Sequence, residues 1–298
     1  NFNTNAYGIE LADYGHPKVD EGLPQYNLAY AVNQKDSTPL FYELYDGSVI
    51  DNTELEIMLE EAKEFGYERL GVLMDRGYIS EKNIKALRSK GYEYILMMKQ
   101  NQKICQEIIE EYGAAVQSLE GYYIGEHGVY GTTVKKQLYG QETNIHVYYD
   151  DIRASEEKVA LMSRYETWEK EIEKKVEKKL ATEGEMKKYR KVFKLKNDQN
   201  GYLVAYQRNS RYIKEEIRNL GFFFIITSEE MSASKALDIY RGRDNIEKMF
   251  RSLKSGIDFN KARVHTTESL KSKVFVTFIA MIIRNELFQK AEVLRKIR

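Results

Sequence analysis

The chain of 298 residues has little of what many protein chemistries require. Cys105 is its only cysteine, which excludes an internal disulfide and a cysteine-rich zinc site and fits a reducing, cytoplasmic setting. The four histidines, His16, His127, His146 and His265, are scattered without metal-ligand spacing. No apolar run approaches the roughly 18 residues of a membrane span. The longest, Val274 to Ile283, is closed by Lys273 and Arg284 and predicts a core helix. No signal peptide, internal repeat or helix-turn-helix is evident. The first residue is Asn1 rather than Met, so residues are expected to precede it.

What is present is a globular balance, with 42% apolar and 31% charged residues and 23 tyrosines, whose amphipathic rings suit half-buried surfaces. The length favours a sizeable core with a substantial insertion or companion domain. Formal net charge is zero, which argues against a nucleic-acid partner until its distribution is considered. Residues 1–70 hold 4 Lys/Arg against 14 Asp/Glu, whereas residues 240–298 hold 14 against 6. The last segment thus offers the basic face that a phosphate backbone requires, although oppositely charged halves also attract each other.

Along the chain, Leu23 to Asn33 and Thr38 to Tyr45 predict an antiparallel hairpin, with Asn1 to Leu11 as the strand before it. Helical spacing of Leu55, Met58, Leu59 and Ala62 follows a cap at Asp51 to Thr53. Arg69 to Met74 reads as a strand buried on both faces and runs into Asp75-Arg76-Gly77-Tyr78; Ser80 then opens a helix over Lys82 to Lys90, and Tyr94 to Met98 is a further strand. Between 104 and 227 we expect a mostly β stretch: strands at Tyr122 to Tyr130 and Thr132 to Tyr139 around Gly131, at Asn144 to Tyr149, Arg190 to Leu195, Tyr202 to Tyr206 and Gly221 to Thr227. One long charged helix from Ala154 to about Lys179 crosses it, with Trp168 as a packing anchor.

The chemistry concentrates in IYRGRDNIEKMFRSLKSG. On one helix, Tyr240, Arg243, Glu247 and Lys254 share an arc of roughly 60°. Ile239, Ile246, Met249, Phe250, Leu253 and Ile257 fill the adjoining arc. A carboxylate between cations and a phenol suits a metal ion held against a phosphodiester. Asp75, at the end of an apolar strand, is the candidate partner, because ligands of open α/β sheets sit at that edge. Each acid alone has a plainer reading, Asp75 as a turn cap and Glu247 as a solvated or Lys-paired surface residue. Together, two hard carboxylates suit Mg²⁺ or Mn²⁺.

The spacing Tyr240-x2-Arg243-x3-Glu247-x6-Lys254 is identical to the Tyr-Arg-Glu-Lys signature of the DDE transposases of one large group of bacterial insertion sequences, and Asp75-Arg76-Gly77-Tyr78 resembles the motif around that group's second acid. Gly15 to Lys18, Leu23 to Gln25, Pro39 to Tyr42, Gly47-Ser48, Asp51 and Phe275 to Leu287 are similar too, so the resemblance covers essentially the whole chain. It implies an α/β, RNase H-like mixed sheet flanked by helices: core residues 1–103, a β-rich insertion over 104–227, and core helices over 228–298. It further implies two Mg²⁺ or Mn²⁺ ions on an acidic triad that includes Asp75 and Glu247, cleavage at transposon ends, and attack by the freed 3′-OH on target DNA. Tyr240, Arg243 and Lys254 would grip DNA phosphates, Arg251 and Arg263 are reasonable further contacts, and at least a dimer would form on double-stranded DNA. Lys18 and Gln25, within the shared segments, read as structural; Arg76 is left between DNA contact and local pairing.

In similar proteins the first acid ends the first strand, just before a segment like Asn1-Phe2-Asn3-Thr4. We therefore expect that acid upstream of Asn1 and the chain as written to be inactive. The alternative is a decayed version with Asn1 or Asn3 in its place. A metal-dependent nuclease of the same fold and a domesticated DNA-binding protein without catalysis remain rival readings.

Overall fold

Two antiparallel strands, β2 (Gln25–Val32) and β3 (Pro39–Asp46), form the expected hairpin in the computed structural model, which describes residues 2–14, 22–33, 36, 38–49, 51–67, 71–74, 77, 79–118, 120–178, 189–243 and 263–296. The strand expected over Asn1 to Leu11 shortens to β1 (Phe2–Asn3) beside β2. Gln25 is structural, as expected: its Nε2 donates to the Gly47 carbonyl at 2.9 Å, while Asn27 Nδ2 donates to those of Asp46 (2.9 Å) and Val49 (3.0 Å). Two buried amides thus hold the turn that leads into α1 (Asp51–Glu64). Lys18 and Arg76 lie outside the described residues.

Next come β4 (Gly71–Met74), α2 (Glu81–Ser89) and β5 (Glu93–Met97). Ser80 caps α2 as its sequence suggests, with Oγ accepting from the Asn83 amide at 3.1 Å. β4 and β5 are parallel neighbours. Contrary to the expectation of a strand buried on both faces, β4 is the edge strand of the sheet among the described residues, with Gly71 exposed and Val72 and Leu73 half-buried.

The stretch 104–227 contains two helices that the β reading missed. They are α3 (Lys103–Ser118) and α5 (Ser210–Asn219), besides β6 (Tyr123–Ile124), β7 (Val129–Leu138), β8 (Gln141–Tyr149), α4 (Asp151–Glu177), β9 (Phe193–Asn197), β10 (Leu203–Arg208) and β11 (Phe222–Thr227). Among the described residues, six strands join one mixed sheet in the order β4-β5-β11-β8-β7-β6. The run FFFIIT explains why β11 lies inside it. Phe222, Phe224 and Ile226 face a core built with α1, α2 and α3, while Phe223 and Ile225 face the opposite side. β7 runs unbroken through Gly131, where two strands were expected. A Cβ at Gly131 would lie 2.6 Å from Tyr148 Cδ1, so this glycine makes room for a ring; the chain turns instead before Gly128, whose φ is 65°.

His146 lies fully buried where β7, β8 and β11 meet. Thr227 Oγ1 donates to the Glu229 carbonyl (2.7 Å), so it accepts from His146 Nε2 (3.0 Å), and His146 Nδ1 accepts from Thr133 Oγ1 (2.8 Å). The neutral ring is therefore specified, and burial lowers its pKa from 6.5 to about 4. Because the folded value is depressed, this stabilisation is present above pH 6.5 and is lost as pH falls through 4. We expect a loss of about 3 kcal/mol across that window, measured by urea unfolding. His146→Gln should flatten the dependence; an unchanged slope would exclude His146 as its source.

α4 carries a smaller core of its own, in which Leu161, Tyr165 and Ile172 pack on Tyr189, Phe193 and Leu203. Trp168 is the expected anchor, edge-on to Tyr189 with centroids 5.7 Å apart. The chain then forms α6 (Ala233–Arg241) and α7 (Thr267–Lys296). Leu270, Val274 and Met281 of α7 pack with Tyr26, Leu28 and Tyr30 of the hairpin sheet. Asn285 and Gln289 donate to the Asp36 carbonyl at 2.9 and 2.7 Å. The predicted core segment Val274 to Ile283 is apolar on both sides, yet among the described residues only one side is covered, for Phe275, Val276 and Ile283 are exposed. No described helix is long and apolar enough to cross a membrane. Helices on both faces of a mixed sheet give the α/β, RNase H-like class that the sequence implies.

Candidate functional site

Helix α6 carries Tyr240, the first residue of the signature, and it is fixed at both ends. Ser232 caps its start by accepting from the Lys235 amide (3.2 Å). The buried Tyr148 hydroxyl of β8 donates to the Ala233 carbonyl at 2.7 Å. Burial raises the Tyr148 pKa, so the phenol stays a donor. At the other end, Arg241 Nη1 donates to His127 Nδ1 at 2.9 Å, which leaves His127 Nε2 to carry its hydrogen to the Asp238 carboxylate. The turn between β6 and β7 is thereby tied to the last turn of α6.

Between these ties, Ala236, Leu237 and Tyr240 are buried. Leu237 and Tyr240 pack against Ile95, Phe223 and Ile225 of the sheet. Leu73 of β4 and Met97 of β5 pack against the same cluster. The apolar side of α6 therefore sits over β5 and β11, next to the strand whose last residue, Met74, immediately precedes Asp75.

The helix stops sooner than the signature spacing predicts. α6 ends at Arg241 with Gly242 as its C-cap, so Arg243 lies just past the helix rather than on a continuous stripe. The structure nevertheless brings Tyr240 and Arg243 together: the Arg243 guanidinium is 5.1 Å from the Tyr240 ring centroid. Tyr240 is only 5% exposed, so its ring belongs to the core and supports a half-buried arginine. Arg263, before α7, is exposed and holds a left-handed backbone with φ of 50°. Asp75, Glu247, Arg251 and Lys254 lie outside the described residues. Among the described residues, no three His, Cys, Asp or Glu side chains gather as a metal-binding group.

Sequence reasoning missed His127, Asp238 and Arg241. The i,i+3 spacing of Asp238 and Arg241 places them one helical turn apart, but nothing local joins them to His127, 111 residues from Asp238.

No curated protein matches this chain. A protein-family model described as "Transposase DDE domain" matches residues 8–283, a span running from between β1 and β2, through α6, into α7. With that match over nearly all of its length, the chain belongs to the transposase DDE domain family.

Proposed function

We propose that this chain is the catalytic domain of a DNA transposase that cuts insertion-sequence ends and joins the freed 3′-OH to target DNA. Asp75 and Glu247 act as metal ligands, with residues 104–227 as an insertion between the two parts of the core. The observation that carries this reading is the shared packing of Leu73 and Tyr240 in one cluster. Asp75 follows Leu73 by two residues and Glu247 follows Arg243 by four. At no more than about 3.8 Å per residue, chain connectivity keeps Asp75 within about 8 Å of Leu73 and Glu247 within about 15 Å of Arg243.

Two carboxylates are hard oxygen donors and fit Mg²⁺ or Mn²⁺. When bound, two such ions supply charge neutralisation at the attacking and leaving oxygens of a phosphodiester. Arg243, held over Tyr240, presents a planar guanidinium to a phosphate; Lys254, Arg251 and Arg263 add cationic contacts that fix the register of the backbone. The basic balance of residues 240–298 supports double-stranded DNA as the partner, and joining two ends calls for at least a dimer on it.

The experiment is an end-labelled cleavage and joining assay with the full-length protein, element-end duplex and Mg²⁺. A transposase yields a 3′-OH at the end and a joined product, and chelation abolishes both. Cleavage with no joining under any target supply would overturn the reading in favour of a nuclease, and binding without cleavage in favour of a DNA-binding protein.

A further inference from the structure

The β9–β10 hairpin has two unlike faces. Phe193, Leu195, Leu203 and Tyr206 pack toward α4, where the Tyr206 hydroxyl donates to Glu173 at 2.8 Å and Arg208 pairs with Glu169. Strand alternation sends Lys194 and Lys196 to the opposite side, and both are exposed. Their cross-strand partners are Gln207 and Ala205, also exposed, so small and polar side chains surround the two ammonium groups. Arg190 and Lys191, just before β9, are exposed as well.

Residues 189–208 contain five Lys or Arg and a single acid, Asp198. That carboxylate is engaged in the hairpin turn, accepting from the Asn200 and Tyr202 amides, each at 2.9 Å. Arg208 is used on the inner face, by Glu169. Among the described residues, neither Lys194 nor Lys196 has an ion-pair partner, although α4 just behind the hairpin is rich in Glu. The outer face thus carries cations that no carboxylate among the described residues neutralises.

We infer that the outer face of the β9–β10 hairpin, through Lys194 and Lys196, is a second DNA contact that grips phosphates without reading sequence. Chemistry favours a polyanion over a protein. Flexible ammonium groups about 7 Å apart along one strand, set among small and polar neighbours, match a regular row of phosphates. A protein interface would need an aromatic or arginine anchor at its centre, whereas the residues directly across from the two lysines are Gln207 and Ala205; the exposed Val204 and Tyr202 of the same hairpin are not their cross-strand partners. The inference rests on the proposal that DNA is the partner. It adds a surface remote in sequence from Arg243 and Lys254.

The test is binding of a short random-sequence DNA duplex by the full-length protein across a series of salt concentrations. Lys194→Gln/Lys196→Gln should lower the slope of log affinity against log salt by about 2, since each phosphate contact contributes about 0.9. A charge-matched control, Lys158→Gln/Lys170→Gln on exposed positions of α4, should keep the wild-type slope. Equal slopes in wild type and the hairpin variant would overturn the inference. So would self-association of that variant with DNA binding intact, which would make these lysines guards of an exposed strand edge. A wild-type protein that binds no duplex would instead overturn DNA as the partner.

Discussion

Asp75→Ala in the full-length protein is expected to lower metal-dependent DNA cleavage by at least about 10³-fold while leaving affinity for the duplex nearly unchanged. The magnitude follows from what a lost metal ligand removes. Neutralising charge on a transferring phosphoryl group is worth several kcal/mol, and each 1.36 kcal/mol is a factor of ten in rate. Glu247→Ala should match it, because two ligands of one site act as a unit and their effects do not add. Arg243→Gln should behave differently: its guanidinium is stacked on Tyr240 and aimed at a phosphate in our reading, so weaker binding and a shallower salt slope should precede any loss of rate at saturating DNA. Measuring binding and single-turnover cleavage on the same preparations separates the two patterns. Near-normal cleavage by either carboxylate variant would remove that residue from the site.

Phe224→Ala is expected to destabilise the protein by about 4 kcal/mol, the largest effect we assign to a single core residue. Phe224 is fully buried on the side of β11 that faces α1, α2 and α3, and its carbonyl accepts from the Met98 amide at 2.9 Å. Removing the ring leaves a cavity in a core to which three helices contribute, and close packing there limits how far any of them can move to fill it. A domain typically has about 5–15 kcal/mol in all, so the variant should unfold at markedly lower urea. Val204→Ala, at an exposed position of β10, should change stability by no more than about 0.5 kcal/mol. A Phe224 effect as small as that would show that β11 is not the centre of the sheet.

Much of this architecture was legible where one local signal decides the outcome. Ser80 before a short amphipathic run specifies the start of α2, and six consecutive apolar or β-branched residues specify β11. α3 had a signal too, since Cys105, Ile108, Ile109 and Val116 are buried at helical spacing, but the surrounding strand candidates obscured it. Gly131 misled because a glycine inside a strand and a glycine in a turn look alike until the Tyr148 ring is placed against it. The stripe from Tyr240 to Lys254 shows a similar limit. Spacing predicts a shared arc only while the helix continues, and Gly242 ends α6 within that motif. The tie between His127 and α6 joins residues far apart in sequence, so no pattern within one segment discloses it.

The place of β11 between β5 and β8 also governs how the protein is made. β5 is complete at Met97, but its neighbour on that side is not synthesised until Thr227. At about 5–20 residues per second, a ribosome needs roughly 6–26 s to cover that distance. Throughout this interval Ile95, Leu96 and Met97 present an apolar strand edge with no partner, and after Tyr149 the edge of β8 is open as well. The nascent chain is therefore at its most vulnerable to strand mispairing on the ribosome, and the arrival of one six-residue strand closes both edges at once.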